Sequence, residues 1–85
     1  MPSALASADM LGDRPISTAA RVAALDCLLD DIGTNLSPWE ADMMIDYAAW
    51  RFERGEIGGA LKTLQMGCDL TGAIRLAAVM HTEGA

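Results

Sequence analysis

Apolar residues along this chain recur at three- and four-residue steps, and nowhere do they alternate with polar ones as a half-buried strand requires. The first firm run holds Val22, Leu25, Leu28, Leu29 and Ile32 and predicts a helix from Ser17 or Thr18 to Asp31, closed by Gly33. The second opens on Ser37-Pro38-Trp39-Glu40, a capping box with proline at the first helical position. It predicts a helix over 38–54 that stops at Gly55. A third stripe of Ile57, Ala60, Leu61, Leu64, Gly67 and Cys68 predicts a helix over 57–70, with Gly58 and Gly59 weakening its first turn. A fourth, over 72–82 with Thr71 or Asp69 as its cap, is apolar nearly all round. The pattern is therefore all-α: a small three- to four-helix array built on an antiparallel hairpin. Residues 17–85 form one domain, behind an N-terminal arm over 1–16 that is either flexible or a short helix over Ala4–Leu11. The expected core is Val22, Leu25, Leu28, Leu29, Met44, Tyr47, Ala48, Phe52, Ile57, Leu61, Leu64 and Leu76.

The second helix carries more apolar surface than a two-layer domain needs. With Trp39 at 0° and steps of 100°, Trp50 falls at about 20°, Met43 at about 40° and Tyr47 at about 80°. Ala48, Phe52 and Ile45 lie near 180–240°, and Asp42, Glu53 and Asp46 near 300–340°, on the same scale. A surface helix buries an arc of roughly 100°. Either this helix is the central one or one face docks a partner. Tryptophan, tyrosine and methionine are the side chains that dominate protein interfaces. Trp39, Met43, Tyr47 and Trp50 are therefore candidate partner-binding residues, alongside the competing reading of both tryptophans as core anchors. Ile74, Val79 and Met80 of the fourth helix join the candidates.

Eighty-five residues at 52% hydrophobic content and a mean hydropathy of +0.22 are too apolar for a disordered segment and rather apolar for a small domain on its own. The net charge is −6 and uneven: residues 1–46 hold eight carboxylates against Arg14 and Arg21, whereas residues 47–85 are balanced. An acidic half repels phosphate and anionic lipid, which argues against nucleic-acid or membrane partners. No apolar stretch of 18 uncharged residues exists, and nothing at the start of the chain reads as a signal peptide, so a cytoplasmic setting is expected. Cys27 and Cys68 are expected to be buried free thiols.

Enzymatic readings find little support. The single histidine, His81, sits at the end of the last helix and is expected to face solvent. The pairs Asp26/Asp30 and Asp42/Asp46 share helical faces but lack the further oxygen ligands and glycine-centred loop of a calcium site. No phosphate loop follows a strand and no Gly-x-Ser-x-Gly turn is present. Neither a cofactor nor a metal is expected. A helix-turn-helix drawn over Ala60–Leu76 would offer DNA only Arg75 and His81.

Met44–Leu70 resembles a tetratricopeptide helical hairpin. Tyr47-Ala48 forms the large-small pair on the first helix, Gly55 stands at the turn, and Ile57, Ala60-Leu61, Leu64 and Gly67 follow on the second. The likeness covers about a third of the chain. Arg51 stands where an aromatic is usual, and Gly72 where the closing proline is usual. The run Gly55–Met80 is also similar, in element order and size, to the small tetratricopeptide-like chaperones that hold needle subunits of bacterial type III secretion systems in the cytoplasm. The resemblance implies a non-enzymatic protein-binding module: a small chaperone or adaptor shielding an apolar helix of a client, such as a secretion component. An acidic inhibitor that mimics nucleic acid, as phage anti-defence proteins do, is the alternative, carried by Asp26, Asp30, Asp31, Asp42 and Asp46. Self-association through the fourth helix into a homodimer is a third reading.

Overall fold

A computed structural model describes residues 16–84, with side chains to Thr82; the short helix expected over Ala4–Leu11 lies outside them. The chain is all-α. Helix α1 spans Thr18–Asp26 and runs into a π-helical segment, Cys27–Ile32; α2 spans Pro38–Glu53, α3 Ile57–Leu64 and α4 Leu70–Gly84. The helices form a closed ring in which α1 packs on α2 and α4, and α3 on α2 and α4; α2 and α4 stand diagonally opposite. The closest pairs are the α2–α3 hairpin, turned by Arg54–Glu56, and α1 with α4.

Local chemistry sets the boundaries. Ser17 Oγ accepts the Ala20 N–H at 3.0 Å and starts α1. The capping box of α2 is complete: Ser37 Oγ accepts the Glu40 N–H at 3.2 Å, and Glu40 Oε1 accepts the Ser37 N–H at 2.9 Å. Gly33 and Gly55 close their helices at φ +85° and +82°, a region that side chains with a Cβ rarely adopt.

Three boundaries differ from the periodicity. The first helix keeps α geometry only to Asp26; beyond it the wider π turn ends with the Gly33 N–H donating to Leu28 O at 2.9 Å. The third helix ends at Leu64 rather than 70. Asp69 is drawn out of it to cap α4, its Oδ1 accepting the Gly72 N–H at 2.8 Å, and tight turns at Met66 and Gly67 make the reversal. The last helix consequently starts earlier, at Leu70.

The largest fully buried side chains are Leu28, Ile45, Leu64 and Leu76, one from each side of the ring. Burying each stabilises the fold by about 1.5–3 kcal/mol. Around them the core is mostly alanine: Ala20, Ala24, Ala41, Ala48, Ala49, Ala60 and Ala73 are buried. Side chains this small let helix axes approach toward the near end of the ~8–10 Å range. Gly67 serves the same end, since a Cβ there would meet Leu36 at 3.0 Å and Met44 Sδ at 3.1 Å.

Three expected core residues lie half outside. Val22 projects from the face of α1 opposite Ala20 and Ala24, which make the contact instead. Tyr47 sits at the margin of the inward arc of α2 formed by Ala41, Met44, Ile45 and Ala48, and Ile57 is the first residue of α3, next to the hairpin turn. Leu25, Leu29, Phe52 and Leu61 are partly buried against the core.

Candidate functional site: an apolar groove between α2 and α3

With alanines making up half of the buried apolar residues, several of the largest apolar side chains are left outside. Trp39 is 71% exposed, Trp50 43% and Met66 75%, with Met43 and Tyr47 about half exposed. The capping box fixes the first turn of α2 and with it the outward position of Trp39. One helical turn apart each, Trp39, Met43 and Tyr47 then form one wall of a groove of about 380 Å³. Thr63 and Met66 supply the opposite side, and Leu36, Glu40 and the buried Met44 complete the lining. The Thr63 hydroxyl donates to Gly59 O at 2.9 Å, so its polar group is satisfied within α3.

The far end of this face is held in place. Tyr47 and Trp50 stack with ring centroids 5.9 Å apart and planes 18° from parallel. The Arg51 guanidinium lies 5.4 Å from the Tyr47 centroid and that of Arg54 4.5 Å from Trp50. Glu56, in the turn, faces both arginines at 3.5 and 3.3 Å. Such cation–ring contacts restrict the rings without covering them.

The remaining charges are largely committed to the fold. Arg21 of α1, only 11% exposed, spans two carboxylates of α2, with Nε 3.2 Å from Asp42 and Nη2 2.7 Å from Asp46. Arg75 of α4 reaches Asp31 at 3.3 Å. The Glu40 carboxyl is held below its ordinary pKa, first by the Ser37 backbone N–H and then by the Ser37 hydroxyl. Burial pushes the Cys68 thiol above its ordinary value, with the nearby Asp69 and Cys27 acting in the same direction. Cys27 is buried and Cys68 half-buried, both as free thiols. His81 is exposed, but its ring meets Phe52 edge-on at 5.1 Å, a contact between the ends of α4 and α2 that periodicity does not disclose.

Of the residues singled out in the sequence, Trp39, Met43 and Tyr47 line the groove, and Trp50 extends its wall through the stack on Tyr47. The fourth-helix candidates do not join them, because α4 is diagonal to α2. Ile74 points outward from α4 at 53% exposure, Val79 is partly buried against the core, and Met80 is 3% exposed. Met80 is thus a core residue, correcting its place among the partner-binding candidates: it shares the inward face of α4 with Ala73 and Leu76. Sequence reasoning missed Met66 and Leu36. Met66 lies about 180° from the Ile57–Cys68 stripe in helical projection. An apolar residue out of register with the core stripe was the available signal.

No protein-family model matches the chain, and neither a curated protein nor a solved structure does. No helix among the described residues is long and apolar enough to cross a membrane, and no three His, Cys, Asp or Glu side chains among them group to hold a metal ion.

Proposed function

We propose that this chain is a non-enzymatic protein-binding module, a small cytoplasmic chaperone or adaptor whose α2–α3 groove receives the apolar stripe of a client helix. One observation carries the reading: Trp39, Met43, Tyr47 and Met66 remain exposed around an apolar groove while half of the buried apolar residues are alanines. Contiguous apolar surface of this kind marks interaction sites. The spacing of Trp39, Met43, Tyr47 and Trp50 along one helix suits helix-in-groove recognition, which reads apolar anchors a turn apart. The stacked, arginine-braced rings lose little freedom on binding, which favours affinity. Each tryptophan contributes about 2 kcal/mol if it acts as a hot spot.

The client class follows from the tetratricopeptide-like resemblance, which suggests an exported component held in bacterial cytoplasm before release. The acidic-inhibitor alternative draws less support, because Arg21 and Arg75 already face three of its five carboxylates, Asp31, Asp42 and Asp46.

Selection from a displayed library of amphipathic helical peptides tests the reading, with the protein at a concentration where it is monomeric. Enriched peptides are expected to carry apolar residues at i, i+3 or i+4 and i+7, and to lose binding to Trp39→Ala/Tyr47→Ala while circular dichroism stays helical. No enrichment, or peptides that bind the double variant equally well, overturns it.

A further inference from the structure

The outward face of α2 is matched to itself. We infer that, without a client, a second copy of this chain covers it through an antiparallel two-fold pairing of α2 with α2, setting Trp39 of each copy against Trp50 of the other and Met43 against Tyr47. The inference rests on the reading of this face as a binding surface and names a second occupant for it.

Three observations support that occupant. The first is register. Trp39, Met43, Tyr47 and Trp50 lie almost symmetrically about Ile45, so reversing one helix over the other superposes the apolar set on itself. A two-fold interface requires this, because one patch must serve as both surfaces.

The second is charge. Glu40 stands in the first turn of α2, and Arg51 and Arg54 in its last turn and cap. Antiparallel pairing brings the Glu40 of each copy to the arginine end of the other, twice per dimer. Opposite charges placed this way fix orientation and register in antiparallel helix pairs. A parallel pairing would set arginine against arginine. The carboxylate nearest the axis is Asp46, and Arg21 holds it at 2.7 Å, which lessens repulsion between the two copies of Asp46.

The third is area. With large side chains burying ~150–250 Å² each, the exposed parts of Trp39, Met43, Tyr47, Trp50 and Met66 amount to roughly 440–730 Å² per copy. Stable interfaces bury about 800 Å² per partner. The α2 pair falls somewhat short, as expected of a reversible dimer that a client helix displaces.

Sedimentation velocity on the full chain, from low micromolar to millimolar concentration, tests the inference. The wild type is expected to pass from monomer to dimer. Met43→Arg, which sets like charges near the axis, is expected to weaken the dimer at least tenfold. Ile74→Arg, on the outward face of α4, is expected to leave it unchanged, and circular dichroism should report equal helicity for all three. A wild type that stays monomeric throughout overturns the inference, as does a dimer indifferent to Met43→Arg or broken by Ile74→Arg. These outcomes leave the client groove standing, since peptide selection is done on the monomer. Failure of that selection beside a Met43-dependent dimer would overturn the client and keep the pairing.

Discussion

Arg21 of α1 holds Asp46 of α2 at 2.7 Å, with Asp42 of the same helix face 3.2 Å from its Nε. The acidic stripe of α2 is therefore in part the seam of the α1–α2 contact. Removing the guanidinium leaves two half-buried carboxylates side by side without the cation between them. Arg21→Met, which keeps most of the apolar stem, is expected to lower stability by about 2 kcal/mol, between the values for exposed and fully buried pairs. Urea unfolding measures the loss. In an Asp42→Asn/Asp46→Asn background, the same substitution is expected to cost much less.

The capping box gives the fold an acid-side dependence of known sign. Glu40 has a folded pKa below its unfolded one, because the Ser37 N–H and hydroxyl bind its charged form. Its contribution is present above the unfolded pKa and is lost as pH falls through the folded value. Urea midpoints from neutral to acidic pH should fall over that window in the wild type, and less so in Glu40→Gln. At neutral pH, Ser37→Ala is expected to cost about 1 kcal/mol.

Two adjacent glycines in the first turn of α3 should respond differently to alanine. A Cβ at Gly58 meets nothing within 4 Å, whereas one at Gly59 collides with the Arg51 guanidinium, whose Cζ would lie 3.0 Å away. Gly58→Ala is expected to stabilise by about 0.5 kcal/mol through helix propensity. Gly59→Ala should gain less, because Arg51 must leave its place over Tyr47 and beside Glu56. In an Arg51→Ala background, the two alanines should become equivalent. A double-mutant cycle by urea unfolding reads the coupling.

Much of this fold is legible in single residues. Ser37-Pro38-Trp39-Glu40, Gly33 and Gly55 mark boundaries through local chemistry that needs no neighbour, and the small residues Ala48, Ala60 and Gly67 announce a close hairpin. Periodicity, however, reads one helix at a time. It shows that α2 is apolar over most of its circumference but not which arc meets α1 and which meets solvent. Tyr47 was accordingly expected in the core as well as at a partner face, and Met80 on the surface. Size misled in the same way at Val22: with Ala20 and Ala24 making the contact, the larger residue was left outside. The π-helical turn at Cys27–Ile32 leaves no mark in the periodicity, and the reach of Arg21 across to α2 is a tertiary contact that the sequence does not display.

The indoles give an independent check on the exposed face. At concentrations where the chain is monomeric, both tryptophans should emit toward the red and be open to quenching. Trp50 has Arg54 4.5 Å from its ring centroid, so iodide should quench it more than caesium does. Trp39 lies beside Glu40 and should show a weaker preference. Trp39→Phe and Trp50→Phe isolate the two signals. Blue-shifted, unquenched emission from both would mean that α2 faces inward.

Binding at the α2–α3 groove is mapped most directly by nuclear magnetic resonance, titrating a selected helical peptide into the isotope-labelled monomer. Shift changes are expected to concentrate on Trp39, Met43, Tyr47, Thr63 and Met66, with both indole N–H signals moving and α4 around Ile74 remaining still. Saturable binding whose shifts fall on α4 or α1, with the two indoles unmoved, would contradict the account.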